Sequence, residues 1–317
     1  MRILLAVIIA TLAGAAGAQS YPTRPVHLIV PFPASGATDI LSRVVAQQLS
    51  EALGQPVPVE NKPGAGGSLG SALVAKAAPD GYTLLMATSS THSVGPALQK
   101  LPYDAEKDFA PICLVANAVG VVVVSPALNV SSVKELIALA KAKPGQLNYS
   151  SSGTGTIVHL SGELFVRMAG VQMQHVPYKG TALAAADIKN GQIAMMVDNI
   201  VSAMPFMKSG MQKGVAVASA KRSEVLPELP TVAESGLPGY ESVAYFGIFA
   251  PAGTPAPVVA RLNSELVKIV RTPQVRTRLI ELGADPVGST PEAFAATIRA
   301  EYLKWSKVIK EGDIKPQ

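Results

Sequence analysis

A chain of 317 residues with 48% hydrophobic content is long enough to bury a large core. Its formal net charge of +5 is a mild excess with no Lys/Arg block and one Trp, which argues against nucleic acid and modestly favours anionic small molecules. Cys113 is the single cysteine, so an intrachain disulfide is excluded, and within the apolar run "PICLVANAVGVVVV" it reads as a buried small hydrophobe.

The first element is a targeting segment. Arg2 precedes the apolar run Ile3–Ala13, and Ala16-Gly17-Ala18 forms a small-residue cleavage pattern. The reading is a secretory signal peptide over residues 1–18, cleaved after Ala18, with Gln19 as the mature start. An uncleaved anchor is the alternative, but a span needs roughly 20 apolar residues. No cysteine stands at the cleavage point, which excludes lipid attachment there, and no later stretch reads as a second span. Loss of Arg2 lowers the formal charge from +5 to +4. Roughly 300 residues remain, which suggests two domains of ordinary size.

Strand-like and helix-like segments then alternate. "VHLIVPF" (Val26–Phe32) is a short strand, followed by the amphipathic "TDILSRVVAQQLSEALG", whose core stripe is Ile40, Val44, Leu49 and Leu53 and whose stop is Gly54. "VPVEN" predicts a second strand, "SLGSALVAKAA" a helix, and "GYTLLMAT" (Gly81–Thr88) a third strand entered through Pro79-Asp80-Gly81. This order argues for an α/β domain with a largely parallel sheet. "VANAVGVVVVSP" (Val115–Pro126) is too long for an average strand and reads as a buried crossing into a second domain. A second α/β cycle follows through "SSVKELIALAKA", "LNYSSS", "TIVHLSGELFVRMAG", "QHVPY", "ALAAADIKNG" and "IAMMVDN". "SVAYFGIFAPAGTP" (Ser242–Pro255) reads as the return crossing, and the rest is mostly helical, notably "APVVARLNSELVKIVRT" and "PEAFAATIRAEYLKWSKVIKEG". The expected organisation is two lobes: residues 19–120 with 244–317, and residues 121–243 between them. In such sheets, ligands collect at the carboxyl ends of strands.

Two loops stand out as carriers of chemistry. In "PFPASGATDI", Pro31 and Pro33 stiffen the strand exit, while Ala34, Ser35 and Gly36 leave the following helix terminus bare. Its first-turn amides lack internal partners at the positive end of the dipole, a site suited to a carboxylate or phosphate, with Ser35 or Thr38 adding a hydroxyl. Asp39 serves the dipole or the loop, and an ordinary strand–helix turn is the bland alternative. "NYSSSGTGTIVHLSGELF" (Asn148–Phe165) offers Ser152, Gly153, Thr154, Gly155 and Thr156 before another helix, a hydroxyl-rich anion nest or merely a flexible loop. Both the dinucleotide fingerprint and the phosphate-cradling Gly-Lys-Ser/Thr fail as written.

Enzyme readings fare worse. "GGSLG" (Gly66–Gly70) matches a nucleophile elbow at Ser68, but "KPGA" separates it from the preceding strand. His27, His92, His159 and His175 show no metal-ligand spacing, so neither a metal nor another cofactor is expected. His159 reads as a hydrogen-bonded structural residue or a cleft-facing one. Asp198-Asn199 ends a strand, where Asp198 accepts from a ligand or a loop, or caps the next helix.

Together "PFPASGATDI", "NKPGAGGSLGSALVAKAAPDGYTLL", "NYSSSGTGTIVHLSGELF", "HVPYKGTALAAADIKNGQIAMMVDN" and "LPTVAESGLPGY…APAGTP" resemble the tripartite tricarboxylate transporter receptor family, the Bug-type periplasmic solute-binding proteins. The resemblance runs over the whole mature chain. It implies an α/β, type II periplasmic-binding-protein-like fold: two lobes, two crossing strands and a ligand cleft. It also implies a periplasmic, monomeric carboxylate receptor, not an enzyme, serving membrane transporter subunits or a sensor kinase. By position the ligand-binding set is Phe32, Ala34, Ser35, Gly36 and Thr38; Ser89 and Ser90; Ser152, Gly153, Thr154, Gly155 and Thr156; and Tyr178 and Asp198. Two departures stand against the family pattern. Ser35-Gly36 replaces the usual Gly-Gly, with a side chain that narrows the pocket or replaces a water, and Tyr245 or Phe246 stands where Trp is common. An exported serine hydrolase and a ligand sensor for a signalling partner are the alternatives.

Overall fold

The computed structural model describes residues 21–315; the signal-peptide reading and its cleavage point after Ala18 lie outside them. Strand β1 (His27–Val30) pairs parallel with β2 (Val59–Asn61) and β3 (Thr83–Thr88), joined by helices α1 (Ala37–Leu53) and α2 (Ser68–Ala75). Gly54 ends α1 at φ 65°, the left-handed conformation that makes glycine a helix stop. The helix buries Leu41, Val45, Leu49 and Leu53, and the expected Ile40 and Val44 lie half-buried at the margin. The apolar surface of α1 is wider than a single stripe because it packs against later helices as well as its own sheet.

After a wide π-type turn over Ser90–Val94 and the short helix α3 (Gly95–Leu98), the chain enters β4 (Phe109–Val124), a strand of 16 residues. Its length reflects two duties. Phe109–Val119 pairs with the returning β9, and Gly120–Val124 pairs with β7 of the other half. That second half contains α4 (Val133–Ala142), β5 (Leu147–Ser151), α5 (Ile157–Ala169), β6 (Met173–Pro177), α6 (Ala185–Lys189), β7 (Met195–Asn199), α7 (Ile200–Lys208) and β8 (Lys213–Val217). Its strands β6, β5 and β7 are parallel, so their carboxyl ends share one edge.

The return passes Ser242, whose carbonyl accepts Gly120 N–H at 3.1 Å, and continues as β9 (Val243–Pro251) between β3 and β4. Helices α8 (Ala256–Arg271) and α9 (Pro273–Glu281), strand β10 (Ala284–Pro286) and helix α10 (Pro291–Gly312) complete the first half. The strand order β2-β1-β3-β9-β4-β7-β5-β6, with β8 and β10 also on β4, makes two α/β lobes hinged on one long strand and its return. Strands β8 and β10 escape the sequence patterns; both are defined by their antiparallel pairing with β4, and β10 is only three residues long. Cys113 is fully buried in the core, and burial pushes its thiol up to about 12. Among the described residues, no helix is long and apolar enough to cross a membrane, and no group of three or more His, Cys, Asp or Glu could hold a metal.

Candidate functional site

The loops at the carboxyl ends of β1, β3, β5, β6 and β7 converge on a cavity of about 150 Å³ between the lobes. The first loop is held from below. Asp39 is buried and accepts Ser35 N–H at 3.0 Å, the Arg43 guanidinium at 2.9 Å and Asn61 Nδ2 at 3.0 Å, while the same Asn61 amide donates to the Phe32 carbonyl at 3.0 Å. Burial pushes the Asp39 carboxyl up, but Arg43, Ser35 and Asn61 outweigh it and hold it below the usual range. Asp39 therefore serves the loop, and its charge is neutralised before it reaches the cavity. Gly36 is the N-cap of α1 and supplies no side-chain cap. Gly36, Ala37 and Thr38 line the cavity, so the terminus carrying about half a positive charge opens onto it.

The second loop behaves differently. Thr156 caps α5, its Oγ1 accepting from His159 N at 3.3 Å and donating to the Gly153 carbonyl at 2.7 Å. Gly153 N donates to Ser151 Oγ, Gly155 N to His159 Nδ1, and Ile157 N to Ser90 Oγ of the first lobe at 3.0 Å. These amides serve the protein's own acceptors, so the two loops are not equivalent anion cradles. His159 is buried and stacked on His175 at 4.0 Å; burial, then His175, pushes it down to about 3, so it is a neutral acceptor for the loop.

A family model described as the tripartite tricarboxylate transporter family receptor matches residues 41–314. The chain belongs to that family. It is 37% identical to Protein BugT of Bordetella pertussis over 318 residues, covering 98% of each chain. A structure of Rpa4515 from R. palustris with adipate superposes with TM-score 0.91 at 37% identity, covering 94% of this chain and 100% of that one. MatC from Rhodopseudomonas palustris with bound malate gives 0.86 at 35%, covering 91% and 100%.

In this tripartite tricarboxylate transporter receptor the cavity wall brings together Phe32, Ala34, Gly36, Thr38, Ser90, Ser152 and Asp198 from the sequence-derived set. The rest of that set lies elsewhere. Ser35 is exposed, at φ 66°, and its hydroxyl does not narrow the cavity. Ser89 is buried behind the wall and accepts Tyr245 N–H at 2.9 Å, bracing β9. Gly153, Thr154, Gly155 and Thr156 stand back from the cavity, with Gly153, Gly155 and Thr156 occupied by the internal bonds of the second loop. Tyr178 turns its hydroxyl to Asp187. On β9, side chains alternate between faces, so Phe246 and Ala244 line the cavity while Tyr245 points behind it to Ser93 Oγ at 2.8 Å.

Sequence reasoning missed Gly180–Leu183, which close the cavity from the second lobe. The signal was present in Gly180: its φ of 144° favours glycine, and a Cβ there would sit 3.1 Å from Pro33 of the first loop. It also missed the apolar side walls Ile157 and Val158 and the polar Thr88, Asn199 and Ser202. Asp198 is the only ionisable side chain among the lining residues. It is 1% exposed, with Oδ1 accepting Asn199 N–H at 2.7 Å and Oδ2 without a partner. Burial pushes its carboxyl up to about 6 against the opposing pull of Ser202, Asn199 and Thr181. Ser68 heads α2 with its side chain buried, behind a turn at Ala65–Gly67, so the direct strand-to-turn junction of a nucleophile elbow is missing.

Proposed function

We propose that this protein is an exported, periplasmic and monomeric receptor that captures a small carboxylate in the interlobe cavity and passes it to membrane transporter subunits. The observation that carries the reading is the uncapped terminus of α1 opening onto that cavity. A carboxylate there takes charge-assisted bonds from the first-turn amides and from the Thr38 and Ser90 hydroxyls, which offset the cost of leaving water. The adipate and malate held by the two similar structures support the same ligand class. Phe246, Ile157 and Val158 supply the apolar wall for the ligand's carbon skeleton.

Closure follows from differential contact. The ligand touches Thr38 and Phe32 on one lobe and Ser152, Thr181 and Asp198 on the other, so it stabilises the closed arrangement and shifts the hinge equilibrium. With no cation in the wall, Asp198 is neutral when an anion is bound, so capture takes up a proton and affinity falls as pH rises above about 6. The chain acts by binding, without catalysis.

Calorimetry with adipate, malate and a panel of other mono- and dicarboxylates, against their neutral amides, tests the reading. Binding by acids and not by amides, strengthening from pH 8 to pH 6, is the expected result. Binding by amides alone would sink it.

A further inference from the structure

We propose that the first lobe carries a second binding site, a slot separate from the cleft that takes a small neutral aromatic molecule bearing one hydrogen-bond donor, phenol being the simplest. The slot encloses about 320 Å³, roughly twice the cleft cavity, between β4, β9, α10 and the loop before β4. None of its lining residues lines the cleft. Its floor is aromatic: the His92 ring stacks on Phe249 at 4.4 Å and meets Phe109 edge-on at 4.5 Å. Ile298 and Tyr302 of α10 form an apolar wall.

The one polar group in that floor is His92, 1% exposed. The Thr91 hydroxyl has the Thr88 carbonyl within reach as an acceptor at 3.1 Å, and the same oxygen accepts Thr88 N–H. We assign the ring proton to His92 Nδ1, which faces Thr91 Oγ1 at 2.9 Å. Nε2 is then a bare acceptor, and it has no partner. Burial pushes the ring down to about 3, which keeps that acceptor unprotonated.

A buried acceptor without a donor carries a free-energy cost that an aromatic hydrocarbon at the same place would avoid. A ligand hydroxyl or ring N–H removes that cost, and the flat rings offer it a stacking surface. An anion is disfavoured, because the mouth holds the Asp104 and Glu106 carboxylates and its one guanidinium, Arg299, is paired with Glu106 at 2.9 Å.

The test is fluorine NMR of 4-fluorophenol and 4-fluoroanisole titrated into the full mature chain. We expect saturable 4-fluorophenol binding, at least tenfold tighter than 4-fluoroanisole, which lacks the donor. His92→Phe removes this preference, and Ala295→Trp, a change at an exposed position of α10 on the slot wall, reduces binding at least tenfold with an unchanged thermal transition. Equal binding of the two probes, absence of saturation, or binding untouched by Ala295→Trp overturns the proposal. The Ala295 variant decides the matter even where His92→Phe does not fold.

Discussion

At position 35 the backbone demands what a side chain resists. Ser35 sits at φ 66°, a conformation that costs a non-glycine residue about 1 kcal/mol, and its amide is tied to Asp39. The Ser-for-Gly departure is thus a local strain held by the loop brace, outside the cavity wall. Ser35→Gly is expected to leave carboxylate affinity within about twofold and to raise stability by up to about 1 kcal/mol, read by calorimetry and urea unfolding. Asp198 makes a sharper case. Its folded-state value of about 6 lies above that of an unfolded aspartate, so its contribution to stability is complete below about pH 4 and is lost as pH rises through about 6. Asp198→Asn should match the parent near pH 4 and exceed it by roughly 2–3 kcal/mol at pH 7.5 in denaturant titrations. An equal offset at both pH values would show that its charge is not the cause.

Among the elements, turns from the two lobes meet across the cleft. The turn before α2 places Gly66 at φ 63°, where a Cβ would lie 2.9 Å from the Thr154 carbonyl of the opposite lobe. Backbone cannot give way there as a side chain would. Gly66→Ala is expected to weaken carboxylate binding about tenfold by holding the lobes apart, while far-UV circular dichroism stays unchanged. A fall in affinity accompanied by loss of secondary structure would instead mean that the turn is needed for folding. Elements of this kind were partly legible. The strand-to-helix exits at Pro31–Gly36 and Ser151–Thr156 announced themselves by small residues and hydroxyls. Composition did not distinguish them, because an uncapped terminus and one capped by its own Thr156 have the same residue types.

At the scale of the molecule, β4 makes the two lobes one cooperative body. A single apolar cluster runs from Val26 and Leu28 of the first lobe through Ile112 and Val121 to Ile188 and Ile200 of the second. One thermal transition is therefore expected in scanning calorimetry, and two resolved transitions would contradict the continuity. Gly120 stands at the crossing, where a Cβ would approach Ala218 Cβ and the Ser242 carbonyl to 3.0 Å each. Gly120→Val should destabilise that single transition by about 1–3 kcal/mol through overpacking.

The linear chain by itself determined the α/β alternation, the two long crossings, the first loop and the position of Asp198. Each depends on local period, local turn chemistry or a strand end, and those are written within a few residues of one another. Only the tertiary structure decided which donors remain open. The second loop's amides are satisfied by His159, Ser151 and the distant Ser90, and Phe246, not Tyr245, faces the cavity. Hydrogen-bond partners and strand facing are settled by what packs alongside, and that neighbour is often a hundred residues away.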